Sequence, residues 1–452
     1  MRRFFLLAAI CAVAIASPHA QPAAPARPNI VLIITDDVGY GDIGSYGAPD
    51  IKTPNIDGLA KAGVRFTQFY ANGSSCTPTR AGLISGRYQQ RFAIERPLSG
   101  AASPDISIGL PATGRSLPQL LRDAGYSTAL IGKWHLGYQP QFSPRAHGFE
   151  SFFGFKSGYI DYYQHTDGFG HPDLFEDETP VQMAGYMTDL ITQRSVKFIT
   201  DHARSPFFLE VAYNAAHWPY QVPDHPSTAR DNARHLLPSD ENPGTRADYV
   251  KIMERADEGV GRILSTLDRL SLSSNTLVIF TNDNGGEWLS RNAPLFNRKF
   301  TLYEGGIRVP ALMRWPGKIP AGAVSRQVGI TMDLTATILA AAGAAVTAET
   351  KLDGIDLVPL LRAGAQPQSR TLFWRVTTGG LNQRAVRDGN WKLFLEGSAR
   401  LMLVDIARDI GERDDLSATN TAVVRRLRQK LLAWEQDVDA EAKTRGLTSG
   451  AK

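Results

Sequence analysis

Cysteine is nearly missing from this chain: 452 residues contain two, Cys11 and Cys76. Charge of one sign is equally scarce. The formal net charge is +4, and no stretch clusters Lys and Arg as a nucleic-acid-binding surface requires. Internal repeats and long low-complexity tracts are absent. Beyond residue 20 no apolar run is long enough to cross a bilayer. These scarcities exclude a nucleic-acid partner and stable membrane insertion, and they direct attention to the two thiols.

Cys11 falls in a segment with the features of an export signal. Arg2 and Arg3 precede an apolar run from Phe4 to Ala16, and small residues follow up to Ala20. Ile10 is too bulky for a lipoprotein cleavage site ahead of Cys11. Residues 1–20 are therefore expected to be a signal peptide and the Pro/Ala-rich residues 21–28 a spacer, with the product periplasmic or secreted. Cleavage leaves Cys76 alone. On count it is either a reactive or modified thiol or an inert buried one.

The apolar, β-branched run Asn29 to Thr35 predicts a strand buried on both faces, as in a parallel sheet. Further strands are expected at 64–70, 126–131, 207–213 and 276–281, alternating with helices at 54–62, 117–124, 186–202 and 249–270. This order predicts an α/β fold: a large, mostly parallel sheet flanked by helices, over residues 29–368. From about Ser369 the texture changes to short strands at 372–376, 384–387, 391–395 and 401–405, then a helix at 422–438. Residues 369–452 are expected to form a smaller antiparallel sheet plus helix.

Polar residues recur where the large domain's strands end, the place where open α/β sheets bind ligands. Asp36-Asp37 follow the first strand, Lys133 and His135 another, His217 a third and Asp283-Asn284 a fourth. Each acidic pair taken alone fits a strand-end turn or helix cap better than a metal site. Together they offer oxygen donors suited to a hard cation. Thr77-Pro78 places Cys76 at a helix start, where backbone N–H groups face an anion. Arg80 lies one turn on, able to fork to an oxyanion.

The run Cys76-Thr-Pro78-Thr-Arg80, continued to Gly86-Arg87, resembles the signature of the formylglycine-dependent sulfatases of the alkaline phosphatase superfamily. The resemblance extends from Pro28 to about Leu416. It implies that a separate formylglycine-generating enzyme oxidises Cys76 to an aldehyde. It implies calcium held by Asp36, Asp37, Asp283, Asn284 and residue 76. The hydrated aldehyde would attack sulfur with one hydroxyl and later expel sulfate by deprotonation of the other. Arg80, Lys133 and Lys299 would cradle the sulfate, His135 would serve the formylglycine, and His217 would serve the departing oxygen. The implied reaction is hydrolysis of sulfate monoesters of small molecules or glycans. Glu304 and Arg308 are assigned to structure.

Two-zinc phosphatases of the same superfamily use a Ser or Thr nucleophile and His-rich metal sites, which this sequence lacks. Formylglycine phosphonate hydrolases remain the nearer rival. A non-catalytic glycan binder would be expected to lose Cys76 or a metal ligand. The segment Gly285 to Arg298, with Trp288 and Arg291, is short and placed to shape the pocket. Tyr159, Asp161, Tyr162, Tyr163 and His165 suit either sugar stacking or the packing of a long loop.

Overall fold

The computed structural model describes residues 27–98, 106–225, 244–377, 380, 382–398 and 400–447. The expected signal peptide and most of the spacer lie outside the described residues. Among the described residues no helix is long and apolar enough to cross a membrane.

Strand β1 (Asn29–Thr35) is buried along its whole length, as an unbroken Ile/Val/Leu run with no polar face requires. The chain then adds β2 (Val64–Phe66), β3 (Phe69–Tyr70), β4 (Ser127–Lys133), β5 (Ser151–Phe155), β6 (Phe175–Glu176), β7 (Thr179–Pro180), β8 (Phe207–Ala212), β9 (Thr276–Asn282), β10 (Ala311–Arg314), β11 (Ala323–Ser325) and β12 (Gly329–Ile330). β3 and β12 pair separately. Among the described residues the others form one ten-stranded sheet in the order β11-β2-β10-β9-β1-β8-β4-β5-β6-β7. The centre, from β9 through β5, is parallel.

Helices α1 (Pro54–Ala62), α2 (Cys76–Ser85), α3 (Leu117–Asp123), α4 (Met187–Asp201), α5 (Arg246–Arg269), α6 (Glu304–Ile307) and α7 (Thr331–Ala342) connect these strands. Alternation along β1 divides the core. Ile30, Leu32 and Ile34 pack with Leu83 and Ile84 of α2 and Ile338 of α7. Val31 and Ile33 pack with Ile191 of α4 and Val260 and Ile263 of α5. Each such side chain contributes about 1.5–3 kcal/mol relative to exposure. The two layers fix the central strands, whose ends carry the polar residues described below.

The strand expected over 64–70 is two strands. Arg308 donates from Nε to the carbonyl of Thr67 at 2.9 Å, and Tyr40 donates its hydroxyl to the same oxygen at 3.3 Å. These bonds take the carbonyl that ladder pairing would use, and β3 turns away to β12. Helix α5 starts three residues earlier than expected, because Thr245 and Asp248 form a reciprocal cap.

The last strands, β13 (Thr371–Val376), β14 (Gln383–Asp388), β15 (Trp391–Glu396) and β16 (Arg400–Asp405), form an antiparallel sheet in chain order. Helix α8 (Thr421–Thr444) contributes Leu427, Leu431, Trp434 and Val438 to the same core. It outruns its expected end at Val438, where Glu441 pairs with Arg87 at 2.6 Å and Arg445 at 2.8 Å.

Glu304 joins the two sheets. Its fully buried carboxylate accepts from Lys392 of β15 at 2.9 Å, Arg308 at 3.1 Å and Tyr70 at 2.6 Å. Burial disfavours its charge, but Lys392, Arg308 and Arg387 outweigh that and hold the carboxyl down to about 2. Removing one member of such a cluster strands the others. Glu304→Ala is expected to destabilise the protein by about 3–5 kcal/mol in urea unfolding. Because the folded carboxyl lies below its unfolded value of about 4.3, this contribution is complete above that pH and is lost as pH falls toward 2. A loss under about 1 kcal/mol at neutral pH would contradict the role of this cluster.

Candidate active site

Four central strands deliver their polar ends to one edge of the sheet. β1 ends at Asp36 and Asp37, β4 ends on Lys133 with His135 beyond, β8 leads to His217, and β9 leads to Asp283 and Asn284. Asn282 ties the β1 and β9 ends together: its Oδ1 accepts from Thr35 Oγ1 at 3.0 Å and from the Val38 N–H at 3.2 Å. Gly132 has φ +119, and a Cβ there would strike the Ala212 carbonyl. Only glycine lets β4 approach β8 so closely. Asp37 and His135 have φ of 58 and 60, an uncommon region for side chains larger than glycine. Such residues cluster at functional sites.

Cys76 is the first residue of α2 and is 2 % exposed. Its Sγ lies 3.5 Å from Asp36 Oδ1. Burial, then Asp283, pushes the thiol well up, against Lys133 and Lys299. A thiol held protonated is a poor nucleophile.

Three carboxylates are met by three cations. Lys133 Nζ is 2.5 Å from Asp36 Oδ2, and Lys299 Nζ is 2.7 Å from Asp37 Oδ2. Arg80 donates from Nη2 and Nε to Asp283 Oδ2 at 3.1 and 3.3 Å, and from Nη1 to the Lys133 carbonyl at 3.1 Å. Burial, reinforced by Asp283, pushes the Asp36 carboxyl up against the pull of Lys133. Burial opposes charge on Asp37 too, but Lys299 and His217 hold that carboxyl below the usual range.

The donors gathered here are carboxylate oxygens, the Cys76 sulfur and a His217 nitrogen, and the cluster could hold a cation. Donor atoms of Asp36, Asp37, Cys76 and His217 lie within 4.8 Å of one another. Asn284 donates to Asp37 Oδ1 at 2.7 Å, while its own Oδ1 is buried without a hydrogen-bond partner among the described residues. Asp283 turns Oδ2 to Arg80, and its Oδ1 lies 3.4 Å from the Asp37 N–H.

The two histidines differ in their free nitrogen. His135 bonds the Leu98 carbonyl through Nε2 at 2.7 Å, so Nε2 carries hydrogen. Its buried Nδ1 has no partner among the described residues. Burial, then Lys133, keeps this ring neutral. His217 bonds the Trp218 carbonyl through Nδ1 at 2.6 Å. Its Nε2 lies 3.3 Å from Asp37 Oδ2 and 3.4 Å from Lys299 Nζ. Burial pushes His217 down to about 3, Asp37 opposing and Lys299 assisting.

These groups open on a cavity of about 330 Å³ lined by Cys76, His135, His217 and Lys299. Tyr159 lines it too, stacked on His217 with ring centroids 5.6 Å apart. Tyr162 instead supports the loop, donating to the carbonyls of Asn214 and His217, and Asp161 accepts from Gln221 at 2.7 Å. Of the five residues of this segment only Tyr159 lines the cavity; Asp161, Tyr162, Tyr163 and His165 hold the loop. Trp288 lines the cavity, whereas Arg291 pairs with Asp50. Sequence reasoning passed over Glu287, 3.4 Å from Lys299, and Asp167, both in the cavity wall. Glu287 falls within the segment Gly285 to Arg298 expected to shape the pocket, without being singled out there, and nothing flagged Asp167.

A buried nest of cations and oxygen donors at a helix start is built to act on an anionic ester. Residues 28–344 match the family model described as Sulfatase, and residues 292–437 match N-sulphoglucosamine sulphohydrolase, C-terminal. The chain belongs to the sulfatase family and is a sulfuric ester hydrolase. It is 37 % identical over 398 residues to N-acetylgalactosamine-6-sulfatase of Mus musculus, covering 82 % of this chain and 72 % of that one. It is 35 % identical over 425 residues to arylsulfatase A of Homo sapiens, covering 88 % and 79 %. The crystal structure of Ps i-CgsB superposes with a TM-score of 0.81 at 32 % identity, covering 91 % of this chain and 93 % of the other.

Proposed function

We propose that the exported chain hydrolyses sulfate monoesters of carbohydrates, with residue 76 oxidised to formylglycine by a separate enzyme and calcium held by Asp36, Asp37, residue 76, Asp283 and Asn284. The observation that carries this is Cys76 itself, a buried thiol heading α2 with its Sγ 3.5 Å from Asp36, amid Arg80, Lys133 and Lys299. Its modified form supplies the attacking oxygen and calcium supplies positive charge; the chain's own side chains do the rest. Arg80, Lys133 and Lys299 bind and orient the sulfate oxygens and offset charge that builds on them. The all-oxygen donor set and the orphaned Asn284 Oδ1 favour a hard cation. With the carboxylates already matched by side-chain cations, such an ion leaves the pocket net positive for an anionic ester. His135 presents a lone pair at Nδ1 and acts as base on residue 76. His217 presents Nε2 to the bridging oxygen, where an arriving anion raises its affinity for a proton.

Carbohydrate is favoured by the relative acting on N-acetylgalactosamine 6-sulfate, by a second Ps i-CgsB structure in complex with k-i-k-neocarrahexaose, and by the aromatic cavity wall. The test is a screen of enzyme, its formylglycine verified by mass, against sulfated mono- and oligosaccharides, aryl sulfate, and paired phosphonate esters. Turnover of sulfated sugars well above the phosphonates is expected. Preference for phosphonates would overturn the substrate reading.

His217→Ala is expected to lower kcat/KM by about 100-fold or more on sugar sulfates but by less than about 10-fold on nitrophenyl sulfate, whose leaving group needs little protonation. The His135→Ala defect should be nearly independent of the leaving group. Equal losses for His217→Ala across leaving groups would reduce that residue to positioning.

A further inference from the structure

One wall of the cavity carries groups that the sulfate chemistry does not use. Asp167 lines the cavity and is 1 % exposed. Its Oδ1 accepts the backbone N–H groups of Phe169 and His171, each at 2.9 Å, and lies 3.4 Å from His171 Nδ1. Its Oδ2 is buried with no hydrogen-bond partner among the described residues. Leaving a buried acceptor unpaired is costly, and more so when it is charged. A donor entering from the cavity would remove that penalty.

Around Asp167 stand aromatic rings. Tyr159 and Trp218 pack at 4.1 Å between centroids. Phe169, Trp288 and Phe300 line the same cavity and are 65 %, 42 % and 38 % exposed. Large aromatics left open to solvent beside fixed polar groups suit a ligand with one apolar face and a polar edge. A pyranose ring has both. Beyond the sulfate cradle, the charged residues among the described lining are Asp167 and Glu287, both acidic.

We infer that Asp167 is a specificity-determining residue, accepting a hydrogen bond from a hydroxyl or amide N–H of a neutral sugar ring that carries the scissile sulfate. Phe169 and Trp288 pack on the ring face. Asp167, which no cation of the described cavity wall neutralises, disfavours rings bearing a carboxylate or a second sulfate on that side, since like charges in a poorly solvated pocket repel strongly. The inference rests on the sulfate-ester reading and names the substrate class within it.

The test compares wild type with Asp167→Asn, which keeps an Oδ1 acceptor for the two backbone groups, and with Phe169→Ala at an exposed position. Formylglycine content is verified in each. The substrates are monosulfated hexoses and N-acetylhexosamines, the same rings with a second sulfate, and nitrophenyl sulfate, which has no ring hydroxyl. Asp167→Asn should lower kcat/KM on the best monosulfated sugar by about 10- to 100-fold, with a loss on nitrophenyl sulfate at least about ten-fold smaller. The preference for one sulfate over two should narrow. Phe169→Ala should raise KM for the sugar several-fold more than for the aryl ester. Equal losses of Asp167→Asn on sugar and aryl substrates, with Phe169→Ala not discriminating them, would overturn the assignment. So would a wild type that cleaves nitrophenyl sulfate but no sugar sulfate, an outcome that leaves the sulfate-ester reading standing. Verified enzyme inert toward every sulfate ester would instead take down that reading.

Discussion

Cys76→Ala is expected to remove turnover, with a loss of at least about 10⁴-fold, because deletion of an activated nucleophile leaves only binding and electrostatic stabilisation. The fold should survive. Cys76 presents one small buried atom to Asp36 and sits at the first position of α2, where alanine is well tolerated. Thermal unfolding should therefore differ little while activity vanishes. In active wild-type protein, peptide mass analysis should find an aldehyde at residue 76. A preparation in which every molecule keeps the unmodified thiol, yet shows full activity, would sink the modification. Burial pushes this thiol upward, which makes the unmodified side chain a poor nucleophile.

The second large effect concerns Asp283. Its carboxylate fixes the Arg80 fork and belongs to the proposed calcium set. Asp283→Ala should lower kcat/KM by at least about 10³-fold, since Arg80 loses its anchor and the proposed calcium loses a ligand together. Calcium content gives an independent reading. Wild type should hold one calcium after gel filtration and melt at higher temperature when calcium is added; the variant should show neither. Stoichiometric zinc in the wild type, or full calcium retention by the variant, would refute the ligand assignment.

The large architecture was legible because local pattern and burial agree. Asn29 to Thr35 has no polar face, so only a doubly covered strand suits it, and the acids at its end could only sit at a sheet edge. Pro78 announced the start of α2. The failures share another cause. The break between β2 and β3 depends on Arg308, 241 residues from Thr67 in sequence, and no local propensity encodes that. The last turn of α8 depends on Arg87, 354 residues away from Glu441. Asp167 and Glu287 are ordinary acids in ordinary surroundings until the fold brings them to the cavity. The Thr245–Asp248 cap is different: its pattern was present and was overlooked.

The position of Glu304 governs when this enzyme can become one. Lys299 stands five residues before it in the chain, on a loop whose Phe300 N–H bonds Ser74 at 2.7 Å and whose Leu302 N–H bonds Gln383 of β14 at 2.9 Å. Lys299 is thus clamped between the segment leading to Cys76 and a strand whose Gln383 follows Leu302 by 81 residues. A nascent chain stopped before β14 and β15 has every residue of the sulfate cradle and lacks the means to aim one of them. Activity therefore requires that synthesis has passed Lys392, and premature termination anywhere upstream of it should yield protein that is inert toward sulfate esters rather than partly active.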